Sequence, residues 1–101
     1  MSDDSSPETG QWEDDWRQLV GQAVVLDMRS PFVYVGRLAG ETNGYMILDD
    51  ADSHDLRDTS TTRERYVVAC HQHGIHENRR RVWVNLREVV GISRLEDVIV
   101  D

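Results

Sequence analysis

From Gln22 onward the chain alternates with a period of two. Val24, Leu26 and Met28 interleave with Ala23, Val25 and Asp27, which predicts a first strand. Ser30-Pro31 signals a turn. Phe32, Tyr34, Gly36 and Leu38 then alternate with Val33, Val35 and Arg37 as a second strand. Gly36 weakens a strand interior unless the sheet bends sharply there. Glu41-Thr42-Asn43-Gly44 contains Asn-Gly, the strongest short hairpin signal, and Tyr45–Asp49 follows as a third strand.

Two stretches break the alternation. Upstream, Trp12, Trp16, Leu19 and Val20 recur at i, i+4, i+7 and i+8, the stripe of a short N-terminal helix that Gly21 would end. Two tryptophans on one face cap a protein's own core more often than they await a partner. Downstream, residues 50–80 open with acids and then offer Thr61 with Glu64 as a capping box. Thr62–His73 reads as a helix ended by Gly74, although Tyr66-Val67-Val68-Ala69 suits a strand equally well on propensity. Val82, Val84 and Leu86 predict a fourth strand and Val89–Leu95 a fifth. Arg87-Glu88 leaves room only for a very tight turn, or for one strongly bent strand.

Composition agrees with a mainly β domain. The 101 residues fit one core, and thirteen valines stand against seven leucines and four isoleucines. Residues 1–9 have almost nothing to bury and are expected to be a disordered acidic tail, leaving residues 10–101 as the single domain. The net charge is −8, and all eleven basic residues are arginines. Residues 1–60 carry 4 Arg and 13 acids, whereas residues 61–94 carry 7 Arg and 3 acids. Acidic ends on a weakly charged body serve solubility as simply as they would serve to repel nucleic acid. No positive n-region or apolar h-region opens the chain, no apolar run approaches a membrane span, and the lone thiol of Cys70 suits a reducing compartment. A cytoplasmic protein without membrane contact is expected.

The succession of one helix and five short bent strands resembles the Sm-like (LSm) family, whose fold is a small SH3-like barrel. Gly21–Leu26, Val35-Gly36-Arg37-Leu38 and Tyr45–Ala51 look like the first Sm motif, with its strand glycine, following Leu and later apolar run ending near an Asp. Val84-Asn85-Leu86-Arg87-Glu88-Val89-Val90-Gly91-Ile92 matches the spacing of the second motif. There an Ile-Arg-Gly triplet precedes apolar residues three and six positions after its glycine. The likeness covers residues 12–95 and resembles a divergent, bacterial-type member with an insertion at 51–80, helical near 62–73.

The resemblance implies a homo-oligomeric ring in which the fourth strand of one subunit pairs with the fifth of the next. Val82, Trp83, Val84, Val90 and Ile92 are then the expected interface. It also implies RNA as a partner. The family holds a base with an Asp and an Asn around the turn before the third strand and with the Arg of the second motif. Here Thr42 or Asn43 falls at the Asp position, Tyr45 at or beside the Asn position, Asn85 at the Arg position, and Leu86 replaces the glycine. Tyr45 can stack on a base, Asn85 can hydrogen-bond one, and Arg87 joins Arg79, Arg80 and Arg81 as a possible basic rim. The lost arginine and the acidic chain leave an alternative, an oligomeric protein-interaction scaffold without an RNA site.

Other chemistry is poorly represented. Cys70, His73 and His76 make the single metal-like cluster, but their spacing matches no zinc signature and no second cysteine pair completes one. Histidines at a helix C-terminus are better explained by the dipole. No phosphate-binding glycine loop or nucleophile–base constellation stands out, so neither an enzyme nor a cofactor is expected.

Overall fold

A computed structural model describes residues 16–100. They form an antiparallel, strongly bent five-stranded sheet. Its strands are β1 (Ala23–Met28), β2 (Phe32–Thr42), β3 (Tyr45–Asp55), β4 (Arg79–Asn85) and β5 (Val89–Arg94), and one helix, α1 (Arg63–His73), lies between β3 and β4. The spatial order is β4-β3-β2-β1-β5, so β4 and β5 are the two edges.

The bend originates at Gly36. Val35 pairs with Asp52 and Arg37 with Asp49, so one residue of β2 opposes two of β3, Asp50 and Ala51. Such a bulge kinks the strand and increases its twist. A Cβ on Gly36 would lie 2.7 Å from the Ala51 Cβ and 3.2 Å from the Asp49 carbonyl oxygen. Hydrogen therefore fits there and a methyl group does not. Asp50 takes the positive φ, 51°, that turns the partner strand. β3 thus continues past Asp49 to Asp55, through residues the sequence reading placed in an insertion. The segment joining β3 to β4 is residues 56–78.

Two apolar layers cover β1 and β2. Val24, Leu26, Met28, Leu38, Met46, Leu48, Ala51 and Val84 fill the concave side. On the other side Val25, Val33 and Val35 pack against Val67 and Cys70 of α1. This explains the unbroken run Val24-Val25-Leu26, since both faces of β1 are buried. Trp16 and Leu19 pack against the first layer, whereas Val20 is 45% exposed and does not join it. The N-terminal helix expected over 12–20 begins outside the described residues. Trp16 and Arg17 are helical, a turn follows, and Gly21, at φ 92°, donates its N–H to the Leu38 carbonyl.

Helix α1 settles the ambiguity at Tyr66–Ala69. Thr62, not Thr61, caps it, accepting from Arg65 N–H at 3.2 Å, and Gly74 ends it with its N–H on the Cys70 carbonyl. The helix is fixed to the sheet through Asp52, only 8% exposed. One carboxylate oxygen accepts from Tyr66 O–H and the other from Asn78 Nδ2 at 3.0 Å. Asn78 also binds both backbone groups of this stretch, accepting from Ser53 N–H and donating to the Ala51 and Ser53 carbonyls. The His54 ring stacks on Tyr66 at 3.9 Å.

Gly36→Ala is expected to destabilise the fold by about 2 kcal/mol, because the methyl meets the Ala51 Cβ and backbone, none of which can swing away; urea denaturation measures it. Tyr66→Phe removes one of Asp52's two partners and is expected to cost about 1–3 kcal/mol at pH 7. Burial, reinforced by the bond to Asp52, raises the pKa of the Tyr66 hydroxyl above its ordinary value. The folded state therefore resists ionisation. Its advantage is complete below the unfolded pKa of about 10 and is lost as pH climbs beyond it. Urea midpoints at pH 7 and pH 11 should fall further for the native chain than for Tyr66→Phe.

Candidate nucleic-acid interface

Two turns meet at one end of the sheet. The β2–β3 hairpin is a two-residue turn with φ 50° at Asn43 and 83° at Gly44, the left-handed pair for which Asn-Gly is suited. A Glu41 carboxylate oxygen accepts from Gly44 N–H at 3.0 Å and braces it. Between β4 and β5, residues Leu86–Glu88 make a single 3-10 turn, which is how so short a connection reverses the chain. Asn85 caps that turn, its Oδ1 accepting from Arg87 N–H at 2.9 Å. The turns are joined directly, because Leu86 N–H donates to the Gly44 carbonyl at 2.9 Å.

Asn43, Gly44, Tyr45, Asn85, Leu86 and Arg87 line a cleft of about 320 Å³ between these turns. Four of the five residues expected to contact nucleic acid therefore share one concavity. Thr42 lies at the end of β2, opposite Tyr45 in the register and outside the lining. Tyr45 is 41% exposed, and its register partner across the strands is Asn85. With Oδ1 engaged by the cap, the Asn85 side chain has its amide N–H groups left to donate.

Arg29, at the β1–β2 connection, adds a charge the sequence reading did not single out. Its N–H donates to the Glu88 carbonyl, and its Nη2 approaches the Arg87 carbonyl at 3.5 Å. Nothing in the local sequence marks it, since its proximity depends on β1 pairing with β5. Neither Arg29 nor Arg87 makes an ion pair among the described residues.

The other arginines are arranged differently. Arg81 forms two bonds to Asp49, at 2.6 and 3.0 Å, and these hold the Asp49 carboxyl below its ordinary pKa. Arg79 and Arg80 lie at the far end of β4, about 17–20 Å from Asn85 at a strand's rise per residue. The expected rim of Arg79, Arg80, Arg81 and Arg87 is thus not one patch.

Of the expected interface side chains, Val84 is buried and Val82 and Ile92 pack partly against the core. Trp83 and Val90 are 54% and 62% exposed. Cys70, His73 and His76 border a separate cleft of about 240 Å³ beside Asp52 and Tyr66. Burial raises the Cys70 thiol pKa. No group of three His, Cys, Asp or Glu among the described residues is arranged to hold a metal ion. His71 instead bonds the Leu95 carbonyl through Nδ1 at 2.9 Å. No described helix is long and apolar enough to cross a membrane.

Asn85→Ala removes the cap of the 3-10 turn and is expected to cost about 1 kcal/mol, whereas Asn85→Asp keeps the acceptor and most of the stability. Thermal or urea denaturation of the two variants checks this.

No protein-family model and no curated protein matches the chain. Solved structures do. The Sm protein of Pyrococcus abyssii, solved in complex with a uridine heptamer, superposes with a TM-score of 0.56 at 17% identity, over 81% of this chain and 94% of that one. An Sm-like protein from Archaeoglobus fulgidus superposes with a TM-score of 0.55 at 14% identity, covering 81% of this chain and 91% of the other. The five bent strands of this chain therefore have the Sm-like fold.

Proposed function

We propose that the chain is a non-enzymatic, ring-forming protein that binds single-stranded RNA at the cleft between its two turns. The observation that carries this reading is the convergence of Tyr45, Asn85 and Arg87, with Arg29 beside them, on one concavity. An aromatic face, amide donors and unpaired guanidiniums suit an unstacked base and its phosphate. The similar fold of the Pyrococcus protein, solved with a uridine heptamer, supports the ligand class.

Charge is a weaker objection than −8 suggests. Residues 16–100 hold all eleven arginines and only twelve of the nineteen acids. Five of those arginines are paired with carboxylates at Asp49, Asp50, Asp55, Asp27, Glu96 and Asp97. The cleft arginines are outside that set.

Ring formation rests on the two sheet edges. β4 and β5 each have a neighbour on one side only, and exposed edges invite pairing with another chain. Joining the β4 edge of one copy to the β5 edge of the next is a head-to-tail contact, which closes into a ring at a fixed rotation. Backbone groups would make that contact, with Val90 beside them; Val82, Val84 and Ile92 serve the subunit's own core.

Light scattering should give a mass several times 11.6 kDa, and a monomer would refute the ring. Labelled heptauridylate should bind in about 50 mM salt and weaken steeply with added salt. Tyr45→Ala should reduce affinity by roughly 5- to 100-fold through lost stacking. Arg87→Ala should lower the salt slope by about one. An intact oligomer that binds no oligonucleotide at low salt would leave the scaffold reading in its place.

A further inference from the structure

Trp83 is the large side chain that neither the core nor the cleft accounts for. On β4, Val82 and Val84 turn inward, so Trp83 points to the outer face of the sheet, where it is 54% exposed. The register places it opposite Ile47, and Asn85 opposite Tyr45. Met46, between those β3 residues, and Leu48, just after them, are buried on the other face. Tyr45, Ile47, Trp83 and Asn85 therefore share one face, and Tyr45 and Trp83 are diagonal neighbours about 7–8 Å apart, within reach of aromatic side chains. Neither ring stacks on another aromatic ring among the described residues.

The shelf between them is open and bounded. Ile47 forms its floor. On the β2 side Ile47 faces Gly40, where even an added Cβ would have nothing within 4 Å. At the far end Arg81 is neutralised by Asp49, with Arg37 alongside at 3.8 Å. At the near end lie the unpaired Arg87 and Arg29. Positive charge is thus available beside the cleft and cancelled beyond Trp83.

We infer that this shelf is a second base-stacking position, in which the nucleotide next to the one in the cleft lies over Ile47 and stacks on Trp83. The inference rests on the RNA-binding reading of the cleft and extends that site to two consecutive nucleotides. The apolar floor and aromatic wall select bases by their faces, so this position tolerates any base. The unpaired guanidiniums favour an anionic strand over an acid-poor apolar peptide.

The test measures anisotropy of fluorescein-labelled heptauridylate and heptaadenylate with the full chain and with Trp83→Ala, Trp83→Phe and Tyr45→Ala. Trp83→Ala should weaken both probes by about 5-fold or more while the oligomer mass stays that of the parent. Trp83→Phe should recover most of the affinity, yet lose the quenching of tryptophan fluorescence that unlabelled oligonucleotide causes in the parent. If Tyr45→Ala weakens binding and Trp83→Ala does not, the shelf is overturned and the cleft stands. A fall in oligomer mass on Trp83→Ala also overturns it, by making Trp83 a subunit contact. Binding indifferent to Tyr45→Ala but weakened by Trp83→Ala removes the cleft from the site and the two-nucleotide arrangement with it. No binding by the parent chain overturns both.

Discussion

The close approach of Gly36 to Ala51 shapes everything else in this molecule. Two eleven-residue strands, β2 and β3, would be too long to stay flat over a core this small. The bulge at Gly36 and the left-handed Asp50 fold them across it, so that one pair of strands covers two sides of the interior. Without a side chain at Gly36 the backbones draw together; with one they would be pried apart at 2.7 Å. The same bend sends the second half of β3 beneath α1. β4 and β5 stand at opposite edges of the sheet, each with one side free.

A second consequence concerns where charge is placed. Once β3 runs on to Asp55, its acids stand opposite or beside arginines instead of in a loop. Asp49 takes Arg81 across the ladder and Asp55 takes Arg57, whose guanidinium holds that carboxyl below its usual pKa. These exposed pairs contribute little stability individually. Their larger effect is to remove arginines from the surface potential along the strands. Asp52, buried, serves a different purpose. Its two oxygens take one donor from α1 and one from Asn78, so it joins helix, strand and the start of β4 in one network.

Much of this was legible beforehand. The Asn-Gly turn, the five strands, the bend at Gly36 and the helix ended by Gly74 all carry local signals, since turn chemistry and alternation act over a few residues. The misread parts depend on distant partners. Residues 51–55 were placed in an insertion because acids are poor strand formers; Tyr66 and Asn78 compensate at Asp52, and neither adjoins it in sequence. The capping-box spacing to Glu64 favoured Thr61, but the adjacent Thr62 takes the cap position and the bond from Arg65 N–H. Val82, Val84 and Ile92 were named as interface through the resemblance; their side chains also pack on the chain's own core, which alternation alone does not reveal. Asn43, Tyr45 and Asn85 were named through the resemblance and Arg87 through the nearby arginines, but Arg29 was not named. It reaches the site through β1–β5 pairing, which spans most of the chain.

Asn85, standing where the resemblance expects an arginine, changes the chemistry of the cleft more than its existence. An asparagine here is partly consumed by architecture, its oxygen capping the turn. The Gly44 carbonyl and one Glu41 oxygen are likewise engaged, by Leu86 and Gly44 N–H groups. What remains toward solvent is weighted to donors: the Asn85 amide hydrogens and the guanidiniums of Arg87 and Arg29. A donor-rich concavity with an aromatic wall favours ligands rich in acceptors, such as phosphate and the carbonyl edge of a pyrimidine. The positive charge lies not at Asn85 but at Arg87, two residues along the chain, and at Arg29, which is bonded to the β4–β5 connection. A strand of RNA bound here would therefore meet its cations at the margin of the cleft rather than at its floor.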